Sequence, residues 1–302
     1  MKPDVFIVGA PKCGTSAMAH YLAGHPDIFM ARKEMHFFGS DLQFGAQFYR
    51  RDANAYLAEY NSWKGQSRAA EASVWYLFSK RAAEEIHSFN SDARIIILLR
   101  EPAEMLYSLY YQFRFDGNEP LPTFEEALAA EEVRRAGRAT GRRTYLAQGL
   151  LYHEVARYTE QVQRYLKVFG SERVKTVLYD DFASAPAAVY RGVLEFLDVD
   201  STQLPSQFAV VNSNKAIERS LLTAFADEPL IRSAVIAMRS WLPSAVFSSL
   251  QKLESRVRRA NTRPQPRPPI SDELKFRLKF DFAPEVERLG ALLNRDLSHW
   301  SN

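Results

Sequence analysis

The 302-residue chain has one cysteine, Cys13, so it closes no internal disulfide, and its cysteine usage carries no sign of an oxidising compartment. It has no apolar run approaching the ~20 residues that cross a bilayer. Its first apolar segment begins almost at Met1, which leaves no room for a signal peptide. The expectation is therefore a cytoplasmic protein with no transmembrane segment. Charge imbalance is also scarce. A net +3 suits an anionic ligand but is too weak to argue for nucleic acid. There is no internal repeat, and low complexity is confined to the Pro/Arg stretch 261–269. What is present is ordinary for a globular protein: 46% hydrophobic and 25% charged residues. The length fits one α/β unit with appended helices.

The most informative stretch comes first. Residues 4–9, Asp-Val-Phe-Ile-Val-Gly, read as a short buried strand. Ala10-Pro11-Lys12-Cys13-Gly14 is a loop, and Thr15-Ser16 opens a helix. A strand that runs through a Gly-containing loop into a helix start presents free N–H groups and the positive end of a dipole to an anion. Thr15 and Ser16 add hydroxyl donors and Lys12 a mobile cation. The loop resembles the nucleoside-triphosphate motif G-x-x-x-x-G-K-[ST], with Gly9 and Gly14 at its spacing. Thr15, however, stands where that motif has Lys, and the lysine has moved inside the loop to position 12. There it suits the bridging oxygen of a shorter anhydride, where charge grows as the bond breaks. The same residues also fit an ordinary turn capped by Thr or Ser.

Arg94-Ile95-Ile96-Ile97-Leu98-Leu99 reads as a central parallel strand, buried on both faces. Arg100 ends it and Pro102 starts a helix. Ligands of doubly wound sheets sit beyond the carboxyl ends of strands, which is where Arg100 falls. Its planar fork suits a phosphate, and Ser108, two turns along the helix, is a candidate hydroxyl donor. The competing readings are an ion pair of Arg100 with Glu101 or Glu104 and a surface position for Ser108.

In Lys33-Glu34-Met35-His36-Phe37-Phe38, an extended chain puts Glu34 and His36 on one face, beside aromatics. Either they form a pocket wall, or Glu34 pairs with a nearby cation and His36 is a core residue. The aromatics at 56, 60 and 63 have helical spacing and read as packing, with a sugar-lining role as the alternative. Helices are expected near 79–89, over 124–135, from Gly149 to about Phe169, and over 186–197. A further strand is expected over 174–179. The stretch 134–143 reads as an exposed basic loop, solvated or attracting an acidic acceptor. Beyond residue 200 the β signal stops. Residues 219–260 look helical, 261–269 form a linker, Ser271 caps one helix and Pro284 starts the last.

Taken together these stretches resemble the sulfotransferases that use 3′-phosphoadenylyl sulfate (PAPS), above all the heparan sulfate 3-O- and N-sulfotransferases and their bacterial relatives. Pro11-Lys12-Cys13-Gly14-Thr15-Ser16 is similar to the family's 5′-phosphosulfate loop. Leu99-Arg100-Glu101-Pro102 through Ser108 is similar to its 3′-phosphate motif. Lys33 to Phe38 resembles the stretch that carries the catalytic Glu, with a His two residues later. Glu71-Ala72-Ser73 with Tyr76, and Tyr152 in a Gly-x-x-Tyr, look familial too. The likeness covers most of the chain to about residue 200. In the heparan sulfate enzymes a Lys follows the Glu that corresponds to Glu71, and here Ala72 stands there. The expected Lys-Gly-Arg of a basic loop before the last helices is also missing, with Arg263, Arg267, Lys215 and Arg219 as candidate replacements.

The resemblance implies an α/β fold. A P-loop-like central parallel sheet is flanked by helices, and the C-terminal part is mostly helical. The whole of 1–302 would be one sulfotransferase domain, with 1–200 as nucleotide-binding core and 201–302 completing the sites. It implies transfer from PAPS, leaving 3′-phosphoadenosine 5′-phosphate (PAP), to a small-molecule or glycan hydroxyl. Glu34 would be the general base, Lys12 the leaving-group cation, and His36 an orienting or sharing group. Cys13, Gly14, Thr15 and Ser16 would hold the 5′ end, and Arg100 and Ser108 the 3′-phosphate. No metal is expected, because these residues supply the positive charge. The rivals are a P-loop kinase of small metabolites and a nucleotide-binding protein without catalysis. Cys13, at a helix N-terminus, is expected to have a lowered thiol pKa, with redox chemistry or simple fit in the loop as its roles.

Overall fold

The computed structural model of the protein describes residues 2–44, 51–141, 144–208, 215–217, 262–264 and 268–301. Chain contacts divide it into a unit of residues 1–211 with 269–302, and a second unit of residues 212–268.

The first unit is built on five parallel strands: β1 (Val5–Gly9), β2 (Ile28–Met30), β3 (Arg68–Ala72), β4 (Arg94–Leu99) and β5 (Val174–Leu178), in the order β2-β3-β1-β4-β5. Val5 lies between Ala70 of β3 and Arg94 of β4, and Ile95 pairs with Val174. Every residue of β1, and Ile95 to Leu99 of β4, is fully buried, as a continuous apolar run requires when helices cover both faces. The helices are α1 (Thr15–Ala23), α2 (Ala53–Ala58), α3 (Ala82–Phe89), α4 (Pro102–Asp116), α5 (Phe124–Ala129), α6 (Glu131–Arg135), α7 (Tyr152–Val155), α8 (Tyr158–Phe169), α9 (Tyr179–Ser184), α10 (Pro186–Phe196) and α11 (Asp272–Leu293). The architecture is the expected one: a central parallel sheet flanked by helices, followed by a helical C-terminal part.

Because the strands are parallel, their carboxyl ends share one edge. The chain leaves β1 through α1 toward β2 and leaves β4 toward β5, on opposite sides. The gap between β1 and β4 is therefore the switch point where such sheets take ligands.

Several expectations are corrected. The helix expected from Gly149 to Phe169 is a 3₁₀ turn at Gln148–Leu150 followed by α7 and α8. The helix over 124–135 is broken into α5 and α6 at Ala130. Pro284 does not start a helix. It lies inside α11, which Ser271 caps by accepting the N–H of Leu274. Pro284 is solvent-exposed, and α11 is long enough to tolerate one missing hydrogen bond because Leu274, Leu278, Phe282, Val286 and Leu289 anchor both halves in the core. Arg134 is not an exposed basic residue but is buried against Glu119. The β signal does not stop at residue 200. In the second unit β6 (Lys215–Ile217) pairs antiparallel with β7 (Thr262–Pro264), a contact between distant segments that no local periodicity announces. The helices expected over 219–260, with Arg219 and Arg267, lie outside the described residues.

Candidate active site

The first βα connection is shaped by two glycines. A Cβ on Gly9 would lie 2.6 Å from Leu77 Cβ and 2.8 Å from the Val74 carbonyl, so only glycine lets β1 turn out of the sheet there. Gly14 takes φ +88° immediately before α1. No side chain caps α1, and no acidic residue stands in its first turn, so its N-terminus is open to an anion. The Ala10 N–H donates to the Leu98 carbonyl at 2.7 Å, which ties the loop to the end of β4.

Lys12, Arg100 and Ser108 are linked by one face of α4. Lys12 Nζ donates to Gln112 Oε1 at 3.1 Å. Gln112 is itself oriented by donating to Asp116 at 3.0 and 3.1 Å. At the other end Arg100 Nη2 donates to Glu104 Oε2 at 3.3 Å, and its guanidinium lies 4.7 Å above the Tyr179 ring. Glu104, Ser108 and Gln112 are spaced by four, so they form one stripe with about 12 Å of axial rise. Ser108, in the middle, is buried, and its hydroxyl makes no hydrogen bond among the described residues. The ion pair considered for Arg100 is present, with Glu104. Glu101 instead caps α4, accepting the N–H groups of Ala103 and Glu104 at 3.0 and 2.7 Å. Arg100 remains 18% exposed.

Glu34 and His36 do not sit in an extended chain. Both have positive φ, 59° and 51°, in a turn that leaves β2. They still meet, with His36 Nε2 3.8 Å from Glu34 Oε2. The turn is held from the end of β3. Glu34 N–H donates to the Ala72 carbonyl at 2.8 Å, and Val74 N–H donates to Glu34 Oε2 at 3.2 Å. His36 N–H donates to Ser73 Oγ at 3.3 Å, and the N–H groups of Phe37 and Phe38 donate to the Tyr76 hydroxyl. Ser73 in turn donates to the fully buried carboxyl of Glu71 at 2.8 Å, which also accepts from Tyr56.

Burial pushes the Glu34 carboxyl up to about 7. The charge of Lys33 and the Val74 N–H oppose the shift, and Glu71 adds to it. Burial, with the charge of Arg32, lowers His36 to about 4, so its ring is neutral at ordinary pH. The ring stacks on Phe44 at 4.2 Å, and its Nδ1 is buried without a partner among the described residues. A carboxylate titrating near neutrality beside a neutral imidazole can accept a proton at physiological pH.

Cys13 is corrected. Its thiol is not lowered by the helix but pushed up to about 12 by complete burial, against the nearby charge of Arg100. It fills space beneath the loop. The aromatics Tyr56 and Tyr60 are core residues, as the packing reading has it.

Sequence reasoning missed two polar groups, Lys33 and Gln112. The spacing of 104, 108 and 112 held a signal for Gln112. Lys33 Nζ donates to Ser16 Oγ at 2.6 Å, which no pattern in the chain foretold.

The site thus has the layout of the α/β class whose ligands sit at the switch point, between the first strand's loop and the end of its neighbour. A family model for the sulfotransferase domain matches residues 2–223, and the chain belongs to that family. The crystal structure of a sulfotransferase from Alicyclobacillus acidocaldarius is similar over 100% of both chains, with a TM-score of 0.73 and 30% identity. Heparan sulfate glucosamine 3-O-sulfotransferase 5 of Homo sapiens is 27% identical over 205 residues, covering 65% of this chain and 54% of that protein. The membrane-associated sulfotransferase kil1 of Dictyostelium discoideum is 29% identical over 110 residues, 36% of this chain and 22% of that protein. The chain thus spans about half of the human relative and less of the other. No helix among the described residues is long and apolar enough to cross a membrane.

Proposed function

We propose that the protein moves a sulfuryl group from PAPS to an acceptor hydroxyl of a carbohydrate, glycolipid or secondary metabolite. One observation carries the reading: a single stripe of α4 joins Lys12, beside an uncapped helix N-terminus, to Arg100 at the neighbouring strand end, with Ser108 between them. That arrangement suits a ligand with a 5′ anhydride at one end and a 3′-phosphate at the other. A kinase of this fold wants an Asp at the end of the strand to hold magnesium, and Arg100 stands there. The human relative's name, a glucosamine 3-O-sulfotransferase, supports a sugar hydroxyl as acceptor.

The residues divide the work. Gly14, Thr15, Ser16 and the loop amides bind the 5′ end, while Arg100 and Ser108 bind the 3′-phosphate. Arg100 exchanges its contact with Glu104 for the stronger, bidentate contact a phosphate offers. Lys12 neutralises charge on the departing phosphate oxygen. Glu34 takes the hydroxyl proton, a role typically worth about 100- to 10,000-fold. His36, neutral and stacked on Phe44, orients Glu34.

Calorimetry with PAP against ATP tests the ligand. PAP should bind and ATP bind far more weakly, and a preference for ATP would refute the reading. Glu34→Gln tests the base. It should leave PAP binding nearly intact and abolish transfer of the radiolabelled sulfuryl group from PAPS to a panel of hydroxyl acceptors and to water. Turnover within a few-fold of wild type would remove Glu34 from that role.

A further inference from the structure

Lys33 is a poor candidate for an ordinary surface lysine. Its side chain is 29% exposed. Its ammonium crosses from the turn after β2 to Ser16 Oγ in the first turn of α1, at 2.6 Å, and lies 3.8 Å from Glu34 Oε1. It therefore stands between the loop assigned to the anhydride and the carboxylate assigned to the acceptor proton. Lys12 Nζ donates to Gln112 Oε1 on α4 at 3.1 Å. The adjacent end of β3 supplies no cation, since the residue beside Glu34 there is Ala72.

We propose that Lys33 is a catalytic residue of the transfer, contacting the sulfuryl oxygens between donor and acceptor and pairing with the base Glu34. The inference rests on the sulfotransfer reading and on Glu34 as its base. In the step, the acceptor oxygen forms a bond to sulfur as the bond from sulfur to the 5′-phosphate oxygen breaks. The hydroxyl proton passes to Glu34, and the electron pair of the broken bond leaves on the phosphate. The three peripheral sulfuryl oxygens keep their negative charge throughout, between two oxygens that are both partly charged in the transition state. A cation placed at that waist stabilises the transition state most, where the crowding of negative charge is greatest.

The electrostatics agree with the geometry. Burial lowers the Lys33 pKa and Glu34 raises it, while Lys33 lowers that of Glu34. The other groups facing the pair are His36 and Arg32 on the same turn, Glu71 from β3, and Tyr145 from the segment before α7. None of these is a cation in contact with Glu34, and the loss of Lys33 removes the positive charge that lowers its pKa.

The test uses Lys33→Met and Lys33→Arg in the full chain, with three readouts: transfer from radiolabelled PAPS to water across pH, calorimetry with PAP, and the ¹³C titration of the Glu34 carboxyl in the free protein. In Lys33→Met, turnover should fall about 100- to 1,000-fold, while the PAP dissociation constant moves no more than a few-fold. The acidic-limb midpoint of the pH profile and the carboxyl titration should both rise by about one unit. Lys33→Arg, which keeps the charge, should restore the midpoint and recover part of the rate. Turnover within a few-fold of wild type, or a carboxyl titration that does not move, would overturn the proposal and leave Lys33 as a tether for Ser16. Ser16→Ala, which is expected to weaken PAP binding because Ser16 binds the 5′ end, separates the two by the titration alone: a tether's midpoint shift is reproduced by it, and the shift from a lost cation is not. If instead Glu34→Gln stays active while PAP binds, the base reading fails on its own account, whatever Lys33 does.

Discussion

Burial pushes the Glu34 carboxyl up to about 7, and the charge of Lys33, 3.8 Å away, only partly compensates. Two consequences follow at the scale of the residue. A protonated carboxyl cannot accept the hydroxyl proton, so with Glu34 as the proposed base kcat/KM should climb with pH through about 7 and then level off, as its pH profile will show. The folded pKa also lies above the ordinary 4.5, so the native state holds the extra proton between those values. Glu34 therefore costs no stability below about 4.5 and destabilises the fold as pH rises through about 7. Glu34→Gln should melt at a higher temperature than wild type at pH 8, with the gap closing by pH 4.5, in a calorimetric scan at both values. Equal melting temperatures at pH 8 would mean that the carboxyl is better solvated than its setting indicates. Cys13 gives a third outcome. With its thiol buried and pushed up to about 12, iodoacetamide should leave the native protein unlabelled at pH 8 and modify it on unfolding, read by mass spectrometry.

At the scale of the element, the turn that carries Glu34 and His36 owes its shape to β3 and the residues after it. The buried Glu71 holds Ser73 and Tyr56, and Ser73 and Tyr76 accept the turn's own N–H groups. A buried acceptor that loses its donor exposes the asymmetry of hydrogen bonding: the bond is worth little net, its absence a good deal. Tyr56→Phe should therefore cost about 1–3 kcal/mol in denaturant unfolding and lower turnover more than PAP affinity, because it loosens the turn and not the loop. Unchanged stability would mean that Glu71 does not depend on that hydroxyl. Phe37 stacks on Tyr56 at 4.2 Å, and this contact is preserved in the variant.

At the scale of the molecule, the long excursion between β4 and β5 is tied by a charge pair inside the core. Arg134 and Glu119 are 1% and 0% exposed and 2.6 Å apart. The Glu119 carboxylate also accepts from Tyr152 at 2.9 Å, and Arg134 donates to the carbonyls of Ala127 and Leu150. Every charge is met, so removing one partner leaves the other buried alone. Arg134→Met should lose about 3–5 kcal/mol of unfolding free energy, measured by chemical denaturation. A loss under 1 kcal/mol would indicate that water reaches the site in the variant. Five segments far apart in the chain (the first loop, the Glu34 turn, the end of β3, Arg100 and Tyr179) reach one edge only because all five strands run the same way.

The parts of this fold that could be read from the chain are those written in neighbouring residues. The unbroken apolar run of 95–99, the Gly9 to Gly14 loop into Thr15, and Arg100 followed by Pro102 each carry their own local physics of burial, dipole and φ. They located the sheet, the loop that leads from β1 into α1 and the place of Arg100 at the end of β4. Tertiary structure alone decided the rest, because it depends on partners distant in the chain. Burial, which no spacing encodes, raised Glu34 and Cys13 alike and so reversed the expectation for the thiol. The positive φ of Glu34 and His36 follows from hydrogen bonds to Ser73 and Tyr76, not from their own sequence. Arg134 was drawn inside by Glu119 and by the carbonyls of Ala127, Ala139 and Leu150. The meeting of Lys33 with Ser16 arises where the ends of two parallel strands converge.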